Sequence, residues 1–266
     1  MTADNAGRAA ARQPAEQAGA VHAFRLLTVN THKGFTFLNR RFILPELREA
    51  VRAVSAEVVF LQEVLGTHEG HASRQRNWPP TPQYEFLADS MWSDFAYGRN
   101  AVYPDGDHGN ALLSKFPILR YDNLDVTISG PERRGLLHCV LQVPGQPEVH
   151  AICVHLGLRE SHRQRQLELL CQLLDSLPAA APLVVAGDFN DWRLRANAIL
   201  EHRAGLHEAF ASEFGMVARS FPARWPLLRL DRIYVRNAST HQPQILSSRP
   251  WSHLSDHVPL AVEVRL

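Results

Sequence analysis

The run Pro182-Leu183-Val184-Val185-Ala186, followed by Gly187-Asp188-Phe189-Asn190, constrains this chain more than any other segment. A short β-branched apolar run that stops at a glycine predicts a buried strand whose tip presents the next side chains, as at the strand ends where α/β proteins build sites. Two residues apart on an extended chain, Asp188 and Asn190 point the same way. A carboxylate that orients or deprotonates a water, beside an amide that holds an oxygen without adding negative charge, suits attack on a phosphate ester. Taken alone, the same tip also reads as a capping turn, which Asp and Asn favour anyway. The rest of the chain has to decide.

Other apolar runs end in the same kind of chemistry. Leu26-Leu27-Thr28-Val29 stops at Asn30, and Val58-Val59-Phe60-Leu61 stops at Gln62-Glu63, a natural oxygen ligand for a hard cation. Asp231 heads the run Arg232-Ile233-Tyr234-Val235 and is placed to orient an imidazole, while Asp256-His257 precedes Val258–Val264. Strand-like segments cover Phe24–Asn30, Val58–Val64, Gly109–Ser114, Leu136–Val143, Val149–His155, Leu183–Gly187, Arg232–Val235 and Val258–Val264. Helical patterns cover Leu44–Val54, opened by Pro45, and Ser161–Leu177, with Ser161 as the expected N-cap. Such a mixture predicts packed mixed sheets with helices outside them.

In their order along the chain, Asn30, Gln62-Glu63, Gly109-Asn110-Ala111-Leu112-Leu113-Ser114, Val154-His155-Leu156, Gly187–Asn190, Leu230-Asp231-Arg232-Ile233 and Ser255-Asp256-His257 resemble the endonuclease/exonuclease/phosphatase superfamily, the DNase I-like proteins. The resemblance runs from Phe24 to Leu266, and the string from Thr31-His32-Lys33 through Leu44-Pro45 is similar to an uncharacterised bacterial branch. It implies a four-layer α/β/β/α sandwich of two mixed sheets flanked by helices, with a catalytic domain over 23–266 behind a tail over 1–22. That tail, rich in Ala, Gln, Arg and Gly, is expected to be disordered.

The resemblance also implies roles. Glu63 resembles the principal Mg2+ ligand and Asp256 an outer ligand; Asp188 resembles the acid that handles the attacking water. Asn190 and Asn30 resemble the amides that hold phosphate, and Asn110 joins them as a substrate-binding candidate. His257 resembles the imidazole on the scissile phosphate, with Asp231 fixing its tautomer. His155 falls where the DNase I branch carries a second histidine, a phosphate donor or leaving-group acid. The chain departs from the abasic-site enzymes at His32, where they carry an aspartate. Imidazole is a poor Mg2+ ligand, so that metal role is not carried over, and Mn2+, which tolerates nitrogen better, stands as the rival ion.

Basic residues supply a phosphate grip. Arg133 and Arg134 precede a strand at Gly135, as substrate-binding guanidiniums or as a solvated hairpin corner, with the register between them open. Arg163 and Gln166 share one helix face and are expected to brace the site from behind. Arg40, Arg41, Arg48 and Arg52 read as a solvated helix face or as contacts for anionic phosphates. The segment Gly66–Arg76, with His68 and His71, reads as a polar surface loop; with His108 these histidines lack zinc-site spacing. Phe221–Leu228 is either a contact for lipid or base or packed on the sheet.

A formal charge of +1 neither demands nor excludes nucleic acid. Cys139, Cys153 and Cys171 lie in or beside apolar runs without paired spacing, which predicts reduced core residues of a cytoplasmic protein. No apolar stretch reaches transmembrane length, and no obligate protein partner is evident. The expected activity is a Mg2+-dependent phosphodiesterase acting on a nucleic acid or phospholipid-type diester. A phosphomonoesterase on a small metabolite and a non-catalytic binding module are the alternatives.

Overall fold

Strict alternation along each central strand sends one set of side chains between two sheets and the other set under helices. The computed structural model describes residues 22–266. The tail expected over 1–22 therefore lies outside the described residues except for His22, whose ring packs edge-on against Phe116 at 5.6 Å.

In chain order the elements are β1 (Ala23–Asn30), α1 (Leu44–Val54), β2 (Val58–His68), α2 (Glu69–Ala72), α3 (Gln83–Ala88), β3 (Asp94–Tyr103), β4 (Gly106–Ser114), β5 (Ile118–Asp125), β6 (Gly135–Leu141), β7 (Val149–His155), α4 (Glu160–Asp175), β8 (Leu183–Asp188), α5 (Arg195–Ala204), β9 (His207–Glu208), α6 (Ala209–Phe214), β10 (Asp231–Arg236), β11 (Ser239–Ile245) and β12 (Leu260–Arg265). Two six-stranded sheets form, in the orders β11-β12-β1-β2-β4-β3 and β5-β6-β7-β8-β10-β9. Both are mixed: β1 pairs β2 and β7 pairs β8 in parallel, and their other pairings are antiparallel.

Three apolar layers hold the sandwich together. Between the sheets lie Leu26, Phe60 and Leu112 of one and Cys153, Ala186 and Ile233 of the other. Leu27, Leu61 and Leu113 face outward onto Leu44, Leu47 and Val51 of α1. Ile152 and Val185 face outward onto Leu167, Leu170 and Leu174 of α4 and Leu200 of α5. Each fully buried aliphatic side chain contributes about 1.5–3 kcal/mol, so this double patterning fixes both register and layer order. Cys139, Cys153 and Cys171 are free and buried within these layers. Among the described residues no helix is long and apolar enough to cross a membrane.

Several expected boundaries shift. The helix expected to start at a Ser161 cap instead begins at Glu160, with Arg159 at the cap position and no side-chain cap. Its first turn is tied down by Arg163, which donates to Gly157 O at 3.1 Å and Leu158 O at 2.5 Å and pairs with Glu160. The last strand starts at Leu260 rather than Val258, because the Val258 amide donates to Ser220 O at 2.7 Å and Pro259 has no N–H to give. The loop expected over Gly66–Arg76 is partly ordered, since β2 runs on to His68 by pairing with Gly106 and α2 follows.

Candidate active site

The inward phase of six strands ends in polar side chains at one rim. Continuing from Leu26 on β1 gives Asn30; from Phe60 on β2, Gln62; from Leu112 on β4, Asn110. On the facing sheet Cys153 leads to His155, Ala186 to Asp188 and Ile233 to Asp231. Register keeps these tips level, with Asn30 opposite Gln62, His155 opposite Asp188, and Asp231 opposite Asp188.

Glu63 would follow Leu61 in the outward phase, under the helices. A bulge prevents this. Leu61 pairs with Ala111 but Val64 pairs with Gly109, so β2 carries one extra residue, and Glu63 takes a left-handed φ of 56°. The carboxylate turns toward the rim, where His32, His108 and Asp188 all feel its charge. His32 and Asn190 are also left-handed, at φ 45° and 50°. Strained backbone of this kind concentrates at functional sites.

The Asp188 carboxylate is the hub. Its Oδ2 accepts from Asn30 Nδ2 at 3.1 Å and lies 3.7 Å from His155 Nε2 and 3.8 Å from His257 Nε2. Its Oδ1 accepts from the Asn190 backbone N–H at 2.9 Å. His257 Nδ1 sits 2.8 Å from Asp231 Oδ2, which leaves Nε2 facing Asp188 and the cleft. Ser255 sets the turn that carries this histidine: its hydroxyl donates to Asn30 O at 2.7 Å and accepts from the His257 amide at 3.2 Å.

Burial alone would lower the His257 imidazole, but the carboxylates of Asp231 and Asp188 outweigh it and hold the pKa up, near 10. Burial pushes the Asp188 carboxyl up, against the pull of His257. His155, buried and close to the Arg134 guanidinium, is held well below the usual histidine range. A neutral His155 can donate one N–H to a phosphate oxygen but is a poor leaving-group acid.

The two amides are engaged with the protein. Asn190 Nδ2 donates to Leu156 O at 2.9 Å, a carbonyl that also accepts from Arg134 Nε at 3.1 Å. Of the two candidate arginines, Arg134 is half-buried beside Asn190, while Arg133 is exposed. Asn110 is fully buried, and its NH2 reaches across to Gly135 O at 2.9 Å and Cys153 O at 3.4 Å, joining the two sheets. Only its Oδ1 lacks a partner. Arg163 and Gln166 grip the backbone just after His155, with Gln166 Oε1 accepting from the Gly157 amide at 2.8 Å. Of the arginines around α1, Arg41 pairs with Glu46, Arg48 with Glu49, and Arg52 with Asp89.

A hard divalent cation fits this donor set. The Glu63 carboxylate makes no hydrogen bond to protein among the described residues, so both oxygens are available. On the other side of His32, Asp256 Oδ2 lies 3.2 Å from His32 Nδ1. Burial opposes the charge on His32, but the hydrogen bond and charge of Asp256, with Glu63, raise its pKa. His32 Nε2 is buried without a partner. Asp188, Asp231 and His257 also form a group whose ligand atoms all lie within 4.8 Å of one another. There the His257 Nδ1 is already committed to Asp231, so the cluster reads better as an acid–imidazole–acid relay than as a second ion cage.

Further residues complete the setting. Phe221 packs its ring 5.0 Å from that of His257, and the Ser220 hydroxyl accepts from the Asp231 amide at 3.1 Å. The buried Arg232 guanidinium donates to Asp191 O at 2.9 Å, just past Asn190. A cavity of about 580 Å³ opens beside Asp256, walled by Phe37, Leu38, Ile43, Pro222 and Leu254 with Arg40 and Arg224. Apart from Arg232 on β10, these residues lie outside the strands, beyond the reach of the alternation signal.

The sequence model of the Endonuclease/Exonuclease/phosphatase family matches residues 27–257. The uncharacterised protein YbhP of Escherichia coli K12 is 59% identical over 245 residues, covering 92% of this chain and 97% of that protein, and its Shigella flexneri counterpart matches equally. An endonuclease/exonuclease/phosphatase from Beutenbergia cavernae superposes with a TM-score of 0.72 at 20% identity, covering 92% of this chain and 72% of that one. TDP2 of D. rerio, solved in complex with a single-strand DNA product, superposes with a TM-score of 0.68 at 17% identity, covering 91% and 98%. These structures share the fold.

Proposed function

The chain belongs to the Endonuclease/Exonuclease/phosphatase family, and on that footing we propose that it is a Mg2+-dependent phosphodiesterase hydrolysing a nucleic acid or phospholipid-type diester by in-line attack of water. One observation carries the proposal: Asn30 Nδ2, His155 Nε2 and His257 Nε2 converge on Asp188 Oδ2 at 3.1, 3.7 and 3.8 Å. A single carboxylate surrounded by donors is what a water-activating base beside a bound phosphate needs.

In this mechanism Asp188 takes a proton from water as its oxygen bonds to phosphorus, and the bond from phosphorus to the leaving oxygen breaks with its electron pair staying on that oxygen, which is protonated by solvent. Burial raises the basicity of Asp188, and Asn30 fixes its direction. His257, kept protonated by Asp231 and Asp188, donates to a nonbridging oxygen and stabilises the charge that builds there. Neutral His155 and the Arg134 guanidinium add further donors. A divalent cation held by Glu63, with Asp256 as an outer ligand, would neutralise phosphate oxygens; Mg2+ suits these oxygen donors and Mn2+ is the rival.

The apolar cavity beside Asp256 supports a diester over a small phosphorylated metabolite, because a phosphomonoester of a polar metabolite leaves it unfilled. Four large side chains stand exposed on the two loops that wall it, Phe37 at 50%, Leu38 at 60%, Trp225 at 81% and Leu227 at 65%. They offer contacts for bases or acyl chains. The test is a panel of bis-p-nitrophenyl phosphate, p-nitrophenyl phosphate, plasmid DNA and phospholipid vesicles, each with Mg2+ and with EDTA. Diester turnover lost on chelation supports the proposal; turnover of the monoester alone, or none with any substrate, contradicts it.

A further inference from the structure

A second cavity, of about 340 Å³, is lined by Lys33, Phe35, His68, His71, Arg74 and Tyr103 among others. No carboxylate lines it, and neither Lys33 nor Arg74 makes an ion pair among the described residues. Its walls are aromatic. The His68 and His71 rings lie 3.9 Å apart, His71 stacks on Trp78 at 5.5 Å and touches Phe35 at 4.9 Å, and Tyr103 closes against His68 at 5.6 Å.

The cavity is built rather than incidental. Lys33 sits in a left-handed turn at φ 56°, where a lysine backbone is strained. Gln83, 1% exposed, holds it there: its Nε2 donates to Lys33 O at 2.9 Å while its Oε1 accepts from the Leu65 amide at 3.1 Å. One buried amide thus clamps the Lys33 turn to β2, two residues past Glu63. Burial is the main cause that lowers the His71 pKa, the charges of His68, Arg74 and Lys33 add to it, and Asp105 opposes them as the smallest contribution. Lys33 also acts on His108 and His155, so its charge reaches the catalytic rim.

An aromatic-walled cavity with unpaired cations and no acid in its lining is chemistry for an anion, with Lys and Arg as donors to phosphate oxygens. We propose that it is a second anion subsite, which seats a phosphomonoester group carried by the substrate beyond the bond that is cut. The inference rests on the phosphodiesterase reading and adds that the preferred diester bears a second phosphate.

The probes are a series of α,ω-alkane bisphosphates of increasing length and the matching monophosphates. Each is measured by calorimetric binding to the Mg2+-loaded protein and by inhibition of bis-p-nitrophenyl phosphate hydrolysis. The best-spaced bisphosphate should bind wild type at least about tenfold more tightly than its monophosphate, the worth of a charged hydrogen bond. Lys33→Met and Arg74→Gln should each reduce that advantage, and the double variant should abolish it, with hydrolysis of the single-phosphate reporter kept. No advantage at any length in wild type, or an advantage that survives the double variant, overturns the subsite. Monophosphate that fills the cavity without competing with the reporter, and without a bisphosphate gain, identifies a free-phosphate site and also overturns it. Absence of reporter hydrolysis with the bisphosphate advantage intact contradicts the activity instead and leaves the subsite standing.

Discussion

Asn30 Nδ2 donates to Asp188 Oδ2 over 3.1 Å, and in doing so joins the first sheet to the second at the rim of the sandwich. The amide of one strand tip thereby aims the carboxylate of another that is 158 residues away in sequence. Replacing Asp188 by Asn removes the proton acceptor while keeping the shape. Turnover should fall by about 10²–10⁴-fold, the usual worth of a positioned general base, with the circular dichroism spectrum and Tm near wild type.

In the proposed mechanism Asp231 acts through His257. With Nδ1 held at 2.8 Å, Nε2 faces Asp188. Asp231→Asn should lower kcat by about 10²-fold or more, because a neutral amide no longer favours the imidazolium or fixes its tautomer. A variant rate within a few-fold of wild type would remove the relay from the mechanism.

Glu63 stands on its bulge without a protein partner among the described residues, as a cation ligand would. Glu63→Gln should raise the Mg2+ concentration for half-maximal activity by at least about tenfold, with a smaller effect on rate at saturating metal. His32→Asp tests the departure next to it: added oxygen donors should shift preference from Mn2+ toward Mg2+.

Glu208 gives a stability signature away from the site. It caps α6 through Ala211 N at 2.7 Å, yet burial pushes its carboxyl up to about 7 and its Oε1 has no partner. A folded-state pKa above the unfolded one means that stability is full below about 4.5 and is lost as pH rises through about 7. The loss amounts to about 3 kcal/mol, by the linkage of pKa shift to free energy. Glu208→Gln should flatten that part of the denaturation profile between pH 4.5 and pH 7.5.

Gly187 tests the close approach of β7 and β8. Its φ is 142°, and a Cβ there would meet Val154 O at 2.0 Å. Gly187→Ala should cost about 3 kcal/mol in denaturant unfolding, the scale of overpacking plus backbone strain, and should disturb the adjacent Asp188.

How much of this was legible in the sequence depends on whether a strand carries a residue to the rim. Asn30 and Asp188 close apolar runs and Asp231 heads one, so strand patterning and turn chemistry pointed to them, while His155 came from the family resemblance. Glu63 followed an apolar run as well, but its phase was wrong, and only the bulge explains why it turns inward. The edge strands β5 and β11 escaped detection because both are mostly exposed and carry no apolar alternation. Phe221, Ser220 and the Lys33 cavity depend on turns meeting in space, for which sequence periodicity holds no signal. The choice of Arg134 over Arg133 needed the hydrogen bond to Leu156 O.

In the proposed reaction a carboxylate at the end of β8 activates water for attack on a phosphodiester. Its most direct measurement is the rate of bis-p-nitrophenyl phosphate hydrolysis by wild type and Asp188→Asn at saturating Mg2+, repeated after EDTA. Wild-type turnover should be abolished by chelation and reduced by about 10²–10⁴-fold by the substitution. Equal rates in the two proteins would contradict it.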